Sequence, residues 1–519
     1  MKKGTTHLIR RAEQFQTVLI FEGLLVGVLG GLVVLLYRIS LIYANDFLLG
    51  ILTYIKGNIW AAALWFAGLI LLAVIVGKLL KWEPLISGSG IPQLEGEMSG
   101  KLNQVWWRVL AAKFAGGFLS LFGGLSLGRE GPSIQLGAMV GKGISKVLDR
   151  GRTEEKFLLT CGASAGLAAA FHAPLAGVMF SLEEVHKNFS VSVLVSVMTA
   201  SISADFLSSN ILGIEPVFQF DIGNVLPYPY YWMIVVLGII LGAAGVFYNW
   251  FTLKVQSVFK TAKFLNTTTR LFVPFLLAGV LGLVMPQVLG SGHELIIDLT
   301  SGKLVLGAVI FILAVKFIFS AVSFGSGAPG GIFFPLLVLG AFIGGIFGMV
   351  GVSFFGMDPD YINNFVLLAM AGFFTAIVRA PLTGIILIFE MTGSVSQMLS
   401  LSIISIVAFI MASLLKSHPI YESLLDRLLE GKVEEGMETA GQKILKEYVV
   451  MHGAPVEDMT IGTVTWPDNC LIIAIQRSGK EIIPKGKTMI LASDIIVTMT
   501  DERDAGKVHD RMEWLCSEG

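Results

Sequence analysis

Seven apolar stretches, near 16–43, 58–80, 104–122, 190–213, 231–253, 303–323 and 398–415, are each long enough to cross the hydrocarbon layer of a bilayer, about 30 Å thick. They predict ordinary spanning helices. Shorter runs broken by glycine and proline lie between them, near 88–98, 131–148, 157–184, 290–298, 330–349 and 364–392. Unpaired backbone N–H and C=O groups cannot face lipid, so interruptions at membrane depth survive only where protein or a polar cavity satisfies them. Broken helices therefore imply a binding site, and helix N-termini inside a membrane suit an anion.

Composition separates this apolar body from an acidic tail. Of 519 residues, 54% are hydrophobic and only 14% charged, with mean hydropathy +0.76, outside the usual range of soluble domains. The net charge of -1 hides a split: before Glu430 the chain carries 27 basic and 22 acidic residues, and from there on 10 and 16. The first apolar run is too long for a signal h-region and has no small-residue cleavage site, so it reads as a retained helix. Lys2, Lys3, Arg10 and Arg11 precede it, which places the N-terminus in the cytoplasm. The Arg150–Lys156 loop and the Lys254–Arg270 stretch follow the same bias. Cys161, Cys470 and Cys516 have no metal spacing and no disulfide framework.

The chain also repeats itself. Gly88-Ser89-Gly90 recurs as Gly290-Ser291-Gly292, and P-x3-L-G-A-x2-G at 132–141 recurs at 335–344, with offsets of 202 and 203. A-P-L-x-G at 173–177 recurs at 380–384, each copy followed by a glutamate nine residues past its proline, Glu183 and Glu390. A duplicated transporter architecture produces such symmetry, although the sequence does not say whether the halves are inverted.

Gly128-Arg129-Glu130-Gly131-Pro132 puts a carboxylate and a cation just ahead of an apolar helix. Ionisable groups at that depth are functional by default; a structural Arg129–Glu130 pair is the plainer alternative. G-S-G-I-P at 88–92, G-R-E-G-P at 128–132 and G-G-I-F-F-P at 330–335, with Pro419-Ile420-Tyr421, resemble the anion-site signatures of the CLC chloride family over residues 15–428. The resemblance implies an all-α polytopic membrane protein, an inverted-repeat helical bundle with broken helices, two protomers forming a homodimer and each protomer holding its own pathway.

Carried over by that resemblance, the Ser89 and Tyr421 hydroxyls and the amides of Ile332 and Phe333 coordinate chloride, and Glu130 is the gating carboxylate. Gly88, Gly90, Pro92, Arg129, Gly131, Pro132, Gly331 and Pro335 support the site. Chloride needs donors rather than fixed cations if it is to bind and still leave quickly. Glu130 can compete with it when ionised and carry a proton when protonated. Glu184 matches the inner proton-transfer glutamate of the family's antiporters, which its channels generally replace with an apolar residue; a polar cytoplasmic cap shared with Glu183, His186 and Lys187 is the bland alternative. Family members that prefer nitrate tend to carry proline where this chain has Ser89. Lys113 reads equally as a buried lysine offsetting negative charge near the pathway and as a snorkelling one.

From Leu429 the chain becomes charged and then alternates, at Cys470–Gln476 and Met489–Met499, before a polar helix near 502–515, which reads as a small α+β domain. Glu481–Thr498, with Pro484-Lys485-Gly486, resembles the TrkA-C (RCK-C) ligand-binding module of potassium-conductance regulators, which implies a small regulatory ligand such as a nucleotide. Gly162-Ala163-Ser164-Ala165-Gly166 fits a nucleophile elbow only literally, since no strand precedes it, and His293-Glu294 lacks the second histidine of a zincin.

The resulting organisation is a cytoplasmic segment 1–14, a transmembrane domain 15–428 with halves 15–215 and 225–428, a linker 429–434 and a cytoplasmic module 435–519. The expected function is chloride/proton antiport in a plasma membrane, both termini cytoplasmic, with chloride, protons and lipid as partners, no nucleic acid and no cofactor for transport. A chloride channel on the same scaffold and a non-conducting membrane sensor are the competing readings.

Overall fold

The apolar runs become helices in a computed structural model of the chain, which describes residues 3–187, 191–214, 216–218, 225–262, 266–433, 443–477, 480–501 and 505–517. The first half holds α1 (Lys3–Ile55), α2 (Ile59–Trp82), α3 (Ile91–Met98), α4 (Trp106–Phe122), α5 (Glu130–Val147), α6 (Arg152–Phe171), α7 (Pro174–Phe180), a π-helical turn (Ser181–His186) and α8 (Val191–Leu212). The second holds α9 (Tyr231–Thr261), α10 (Thr269–Val284), α11 (His293–Thr300), α12 (Leu306–Gly325), α13 (Phe333–Phe355), α14 (Ile362–Val378), α15 (Pro381–Thr392), α16 (Met398–Leu414) and α17 (Ile420–Val433). Apolar patterning alone does not predict α10, whose short run is interrupted by Pro274.

Among the described residues, eight helices are long and apolar enough to cross a membrane. Two of these, α13 and α14, fall in runs that glycine marks as broken. They are central rather than lipid-facing: 72% and 83% of their most apolar windows are buried, against 22% for α2. The repeated P-x3-L-G-A-x2-G motif explains how they get there. A Cβ at Gly340 would lie 2.7 Å from the Ala369 carbonyl oxygen, and one at Gly344 would run into that of Phe365, so α13 meets α14 backbone to backbone. In the first half Gly137 and Gly141 bring α5 equally close to Gly162 and Leu158 of α6. Gly162 and Gly166, the glycines of the false elbow, are spent in this contact.

The halves are tied by a reciprocal clasp. The Glu390 carboxylate accepts from the amides of Leu175 (3.0 Å) and Ala176 (2.7 Å) at the start of α7. Glu183, just past α7, accepts from the amides of Leu382 (3.3 Å) and Thr383 (2.8 Å) and from the Thr383 hydroxyl (2.8 Å) at the start of α15. Each carboxylate thus caps the other half's helix, where free N–H groups and the helix dipole favour it. The C-terminal end of each helix meets the N-terminal end of the other, so the two run antiparallel, as an inverted repeat requires.

The chain divides into two compact units, Met1–Arg427 and Leu428–Gly519. The second is a four-stranded sheet in the order β1-β4-β2-β3, built from β1 (Lys443–Val449), β2 (Cys470–Arg477), β3 (Lys480–Ile482) and β4 (Ile495–Asp501), all paired antiparallel. Helix α18 (Ala505–Cys516) buries Val508, Met512 and Leu515 with Tyr448, Ile475 and Ile496. The strand expected over Met489–Met499 begins only at Ile495. Asp494 holds off its start by accepting from the Leu491 amide (2.9 Å) and pairing with Arg477 (2.7 Å), which fixes a turn. Residues 434–442, which contain the expected end of the linker and start of the module, lie outside the described residues.

Candidate functional site

Three interrupted helices bring their N-termini together. Ser89 sits in the turn before α3, between Gly88 (φ 64°) and Gly90 (φ 96°), left-handed positions that glycine takes without a Cβ penalty. Lys113 of α4 pins this turn, its ammonium donating to the carbonyls of Ile86 (2.9 Å) and Gly88 (2.6 Å) while fully buried. It does not snorkel. The Gly88 carbonyl also accepts from the Gly330 amide at 3.0 Å.

The other two loops are joined to each other. Gly128 and Gly331 exchange two backbone hydrogen bonds (2.7 and 2.8 Å), so the G-R-E-G-P and G-G-I-F-F-P segments form an antiparallel bridge where α5 and α13 begin. A Cβ at Gly131 would lie 2.7 Å from the Ser89 carbonyl oxygen and strike the Ser89 hydroxyl, and one at Gly331 would lie 3.1 Å from the Gly131 nitrogen. Glycine is needed here for close approach. Pro92, Pro132 and Pro335 occupy the first turns of α3, α5 and α13, where a missing N–H costs no intrahelical bond. Among the described residues, no backbone carbonyl takes the amides of Ile332, Phe333 or Phe334.

Glu130 lies at this meeting point, fully buried. Neither of its carboxylate oxygens has a hydrogen-bond partner among the described residues; a Cβ at Gly128 would strike one of them and lie 3.1 Å from the Phe334 nitrogen, and the Arg129 guanidinium is 3.9 Å away. Free N–H groups at helix starts favour negative charge at this place. Phe333 walls the site with Phe171 (5.5 Å between centroids), Phe374 (4.8 Å) and Phe180 (6.2 Å).

Tyr421 is also fully buried, its hydroxyl without a hydrogen-bond partner among the described residues, as is that of Ser89. This excludes an interfacial-belt tyrosine. The charges of both Glu184 and Glu130 act on the Tyr421 hydroxyl. Glu184 projects from the π-helical turn, a local widening common at functional positions, while its neighbour Glu183 is spent in the clasp.

Glu184 meets a residue that motif reading passes over. Glu95 of α3 is buried, and its carboxyl faces that of Glu184 at hydrogen-bonding range. Two ionised carboxylates repel there, whereas one proton shared between them makes a hydrogen bond. The positive charge of Lys187 acts on the pair, and its ammonium is held to Glu422 at 2.6 Å. Glu95 falls three residues after Pro92 on a short broken helix, and that placement is its only signal in the sequence. Lys316 escapes motif reading too: it donates to Val288 (2.9 Å) and Gly290 (2.8 Å), repeating in the second half what Lys113 does in the first.

Residues 68–413 match the family model described as voltage gated chloride channel, and residues 445–512 match that of the TrkA-C domain. The H(+)/Cl(-) exchange transporter ClcA of Salmonella schwarzengrund is 34% identical over 423 residues, covering 79% of this chain and 89% of the relative. ClcA of Salmonella agona matches to the same extent. A slow cyanobacterial Cl-/H+ antiporter of known structure superposes with a TM-score of 0.76 at 28% identity, over 80% of this chain and 99% of that one. A CLC-type fluoride/proton antiporter, at 22% identity and a TM-score of 0.65 over 78% of this chain and 97% of that one, shares the fold.

Proposed function

Because the chain belongs to the voltage gated chloride channel (CLC) family, we propose that it exchanges chloride for protons across a membrane, with Glu130 as the shared gate and Glu184 as the proton-transfer group on the cytoplasmic side. The observation that carries this is the seat of Glu130: it is fully buried, with one carboxylate oxygen and the Phe334 nitrogen at the start of α13 both beside Gly128, where chloride would take up the Ser89 and Tyr421 hydroxyls and the amides of Ile332 and Phe333. Ionised, it competes with chloride for these donors; protonated, it loses that claim and carries its proton away. The contact between Glu184 and Glu95 supplies a second place for a proton, and the relatives named as exchangers favour coupling over passive conduction.

The test is the voltage at which net chloride flux vanishes in liposomes bearing opposed chloride and pH gradients. An exchanger departs from the chloride Nernst potential. If the protein sits at that potential for every pH gradient, the channel reading replaces this one.

The hydroxyl at position 89 sets selectivity in this scheme. Ser89→Pro is expected to shift relative flux from chloride towards nitrate by about tenfold, because one donor to the more strongly hydrated ion is lost, worth about 1.4 kcal/mol. Competitive uptake of the two anions measures it.

We assign the TrkA-C domain a regulatory role through a small ligand, on a homodimer in the plasma membrane with both termini cytoplasmic. Every transport group above lies upstream of Leu428. A chain ending after Val433 is expected to keep coupled exchange within about twofold and to lose ligand response, which paired flux assays of the full-length and shortened proteins would show.

A further inference from the structure

We propose that the Tyr37 hydroxyl is the outward partner of Glu130, the group that receives its carboxyl when it leaves the helix N-termini; this rests on the gating role assigned to Glu130 above. Tyr37, on α1, is fully buried, and its hydroxyl has no hydrogen-bond partner among the described residues. A buried tyrosine ordinarily finds one. The ring is fixed edge-on against Phe114, with centroids 5.2 Å apart, and the hydroxyl fills the space that a Cβ at Gly117 would take.

Helix register brings the two residues level. Gly30 of α1 touches α5 at Gly137, where its Cβ would lie 3.8 Å from the Gly137 Cα. Tyr37 is seven residues beyond Gly30, and Glu130 seven before Gly137, so each lies two turns, about 10 Å, from the contact. Consistent with this, the charges of both Glu130 and Arg129 act on the Tyr37 hydroxyl.

The next residue, Arg38, braces this end of the gate. It donates to the Ala169 carbonyl (3.2 Å) and to His172 Nε2 (2.7 Å), while Arg129 reaches the adjacent Ala170 carbonyl (3.4 Å). His172 lies just ahead of α7, and Glu184 lies beyond that helix's opposite end. The Arg38–His172 contact next to Tyr37 and the Glu184 carboxyl therefore belong to opposite ends of α7. A phenol can donate to a carboxylate and accept from a carboxylic acid, so it serves a group that changes protonation while it moves.

The test is Tyr37→Phe in the full-length protein in liposomes, alone and combined with Glu130→Ala. Alone, it is expected to slow exchange about tenfold with the proton-to-chloride ratio unchanged, since one hydrogen bond to a charged group is lost. Melting is expected at an unchanged or higher temperature, because phenylalanine fills the same volume and an unpartnered hydroxyl is removed. In the Glu130→Ala background the substitution is expected to leave chloride flux unaltered, there being no carboxyl to receive. Wild-type turnover in Tyr37→Phe, or equal slowing in both backgrounds, overturns the proposal. Preserved proton coupling in Glu130→Ala alone overturns the gating assignment itself.

Discussion

Chloride flux through Glu130→Ala protein is expected to persist, passive and insensitive to pH, while proton flux falls to background. Glu130 is fully buried where α5 and α13 begin, with one carboxylate oxygen and the Phe334 nitrogen both beside Gly128. Removing it takes away both the competitor for the donors there and the proton carrier, and it relieves the burial of a charge whose nearest cation, Arg129, stands 3.9 Å off. Truncation does not dismantle the fold, because the Gly128–Gly331 bridge that holds the two loops is made of backbone alone. Proton-to-chloride coupling should drop at least a hundredfold, to the detection limit, with the zero-flux voltage returning to the chloride Nernst potential. A variant that still drives protons uphill would remove Glu130 from the coupling step.

Glu184→Gln is expected to fail differently. Glutamine keeps the size and can still donate to Glu95, so the π-helical turn and its clasp through Glu183 remain. It cannot take up and release a proton. Proton flux should fall by at least tenfold while chloride movement stays slower than in Glu130→Ala, because Glu130 still blocks and unblocks the anion path. Here too the zero-flux voltage moves to the chloride Nernst potential, but a pH dependence of chloride flux survives, and that separates the two variants. Full coupling in Glu184→Gln would shift the transfer role to Glu95.

Much of this site is legible in the amino-acid sequence, because its chemistry is concentrated in short glycine-rich motifs that lie next to helix starts. The G-S-G and G-R-E-G-P strings announce left-handed turns and close backbone approach, and Gly88, Gly90 and Gly131 are used in that way. The illegible part depends on contacts across the fold. Nothing local distinguishes Glu95 from Glu97, yet one faces Glu184 and the other pairs with Lys142. Glu183 and Glu184 are adjacent, but only the π-helical turn sends one to the clasp and the other to Glu95. The direction of the second half is equally hidden, since matching motifs are the same for parallel and inverted copies. In the tail, Asp494 shortens a strand that alternation alone would extend.

The crossed caps of α7 and α15 have a consequence for the order of biosynthesis. The amide of Leu175 waits for a carboxylate 215 residues downstream. At about 5–20 residues per second, a ribosome needs about 10–40 s to make the intervening chain. Throughout that interval the first half has left the translation tunnel with the start of α7 uncapped, so it must remain provisional, shielded by insertion machinery or lipid headgroups, until its sister segment arrives. A gene cut between the halves would have to supply both pieces together in one membrane for either to mature.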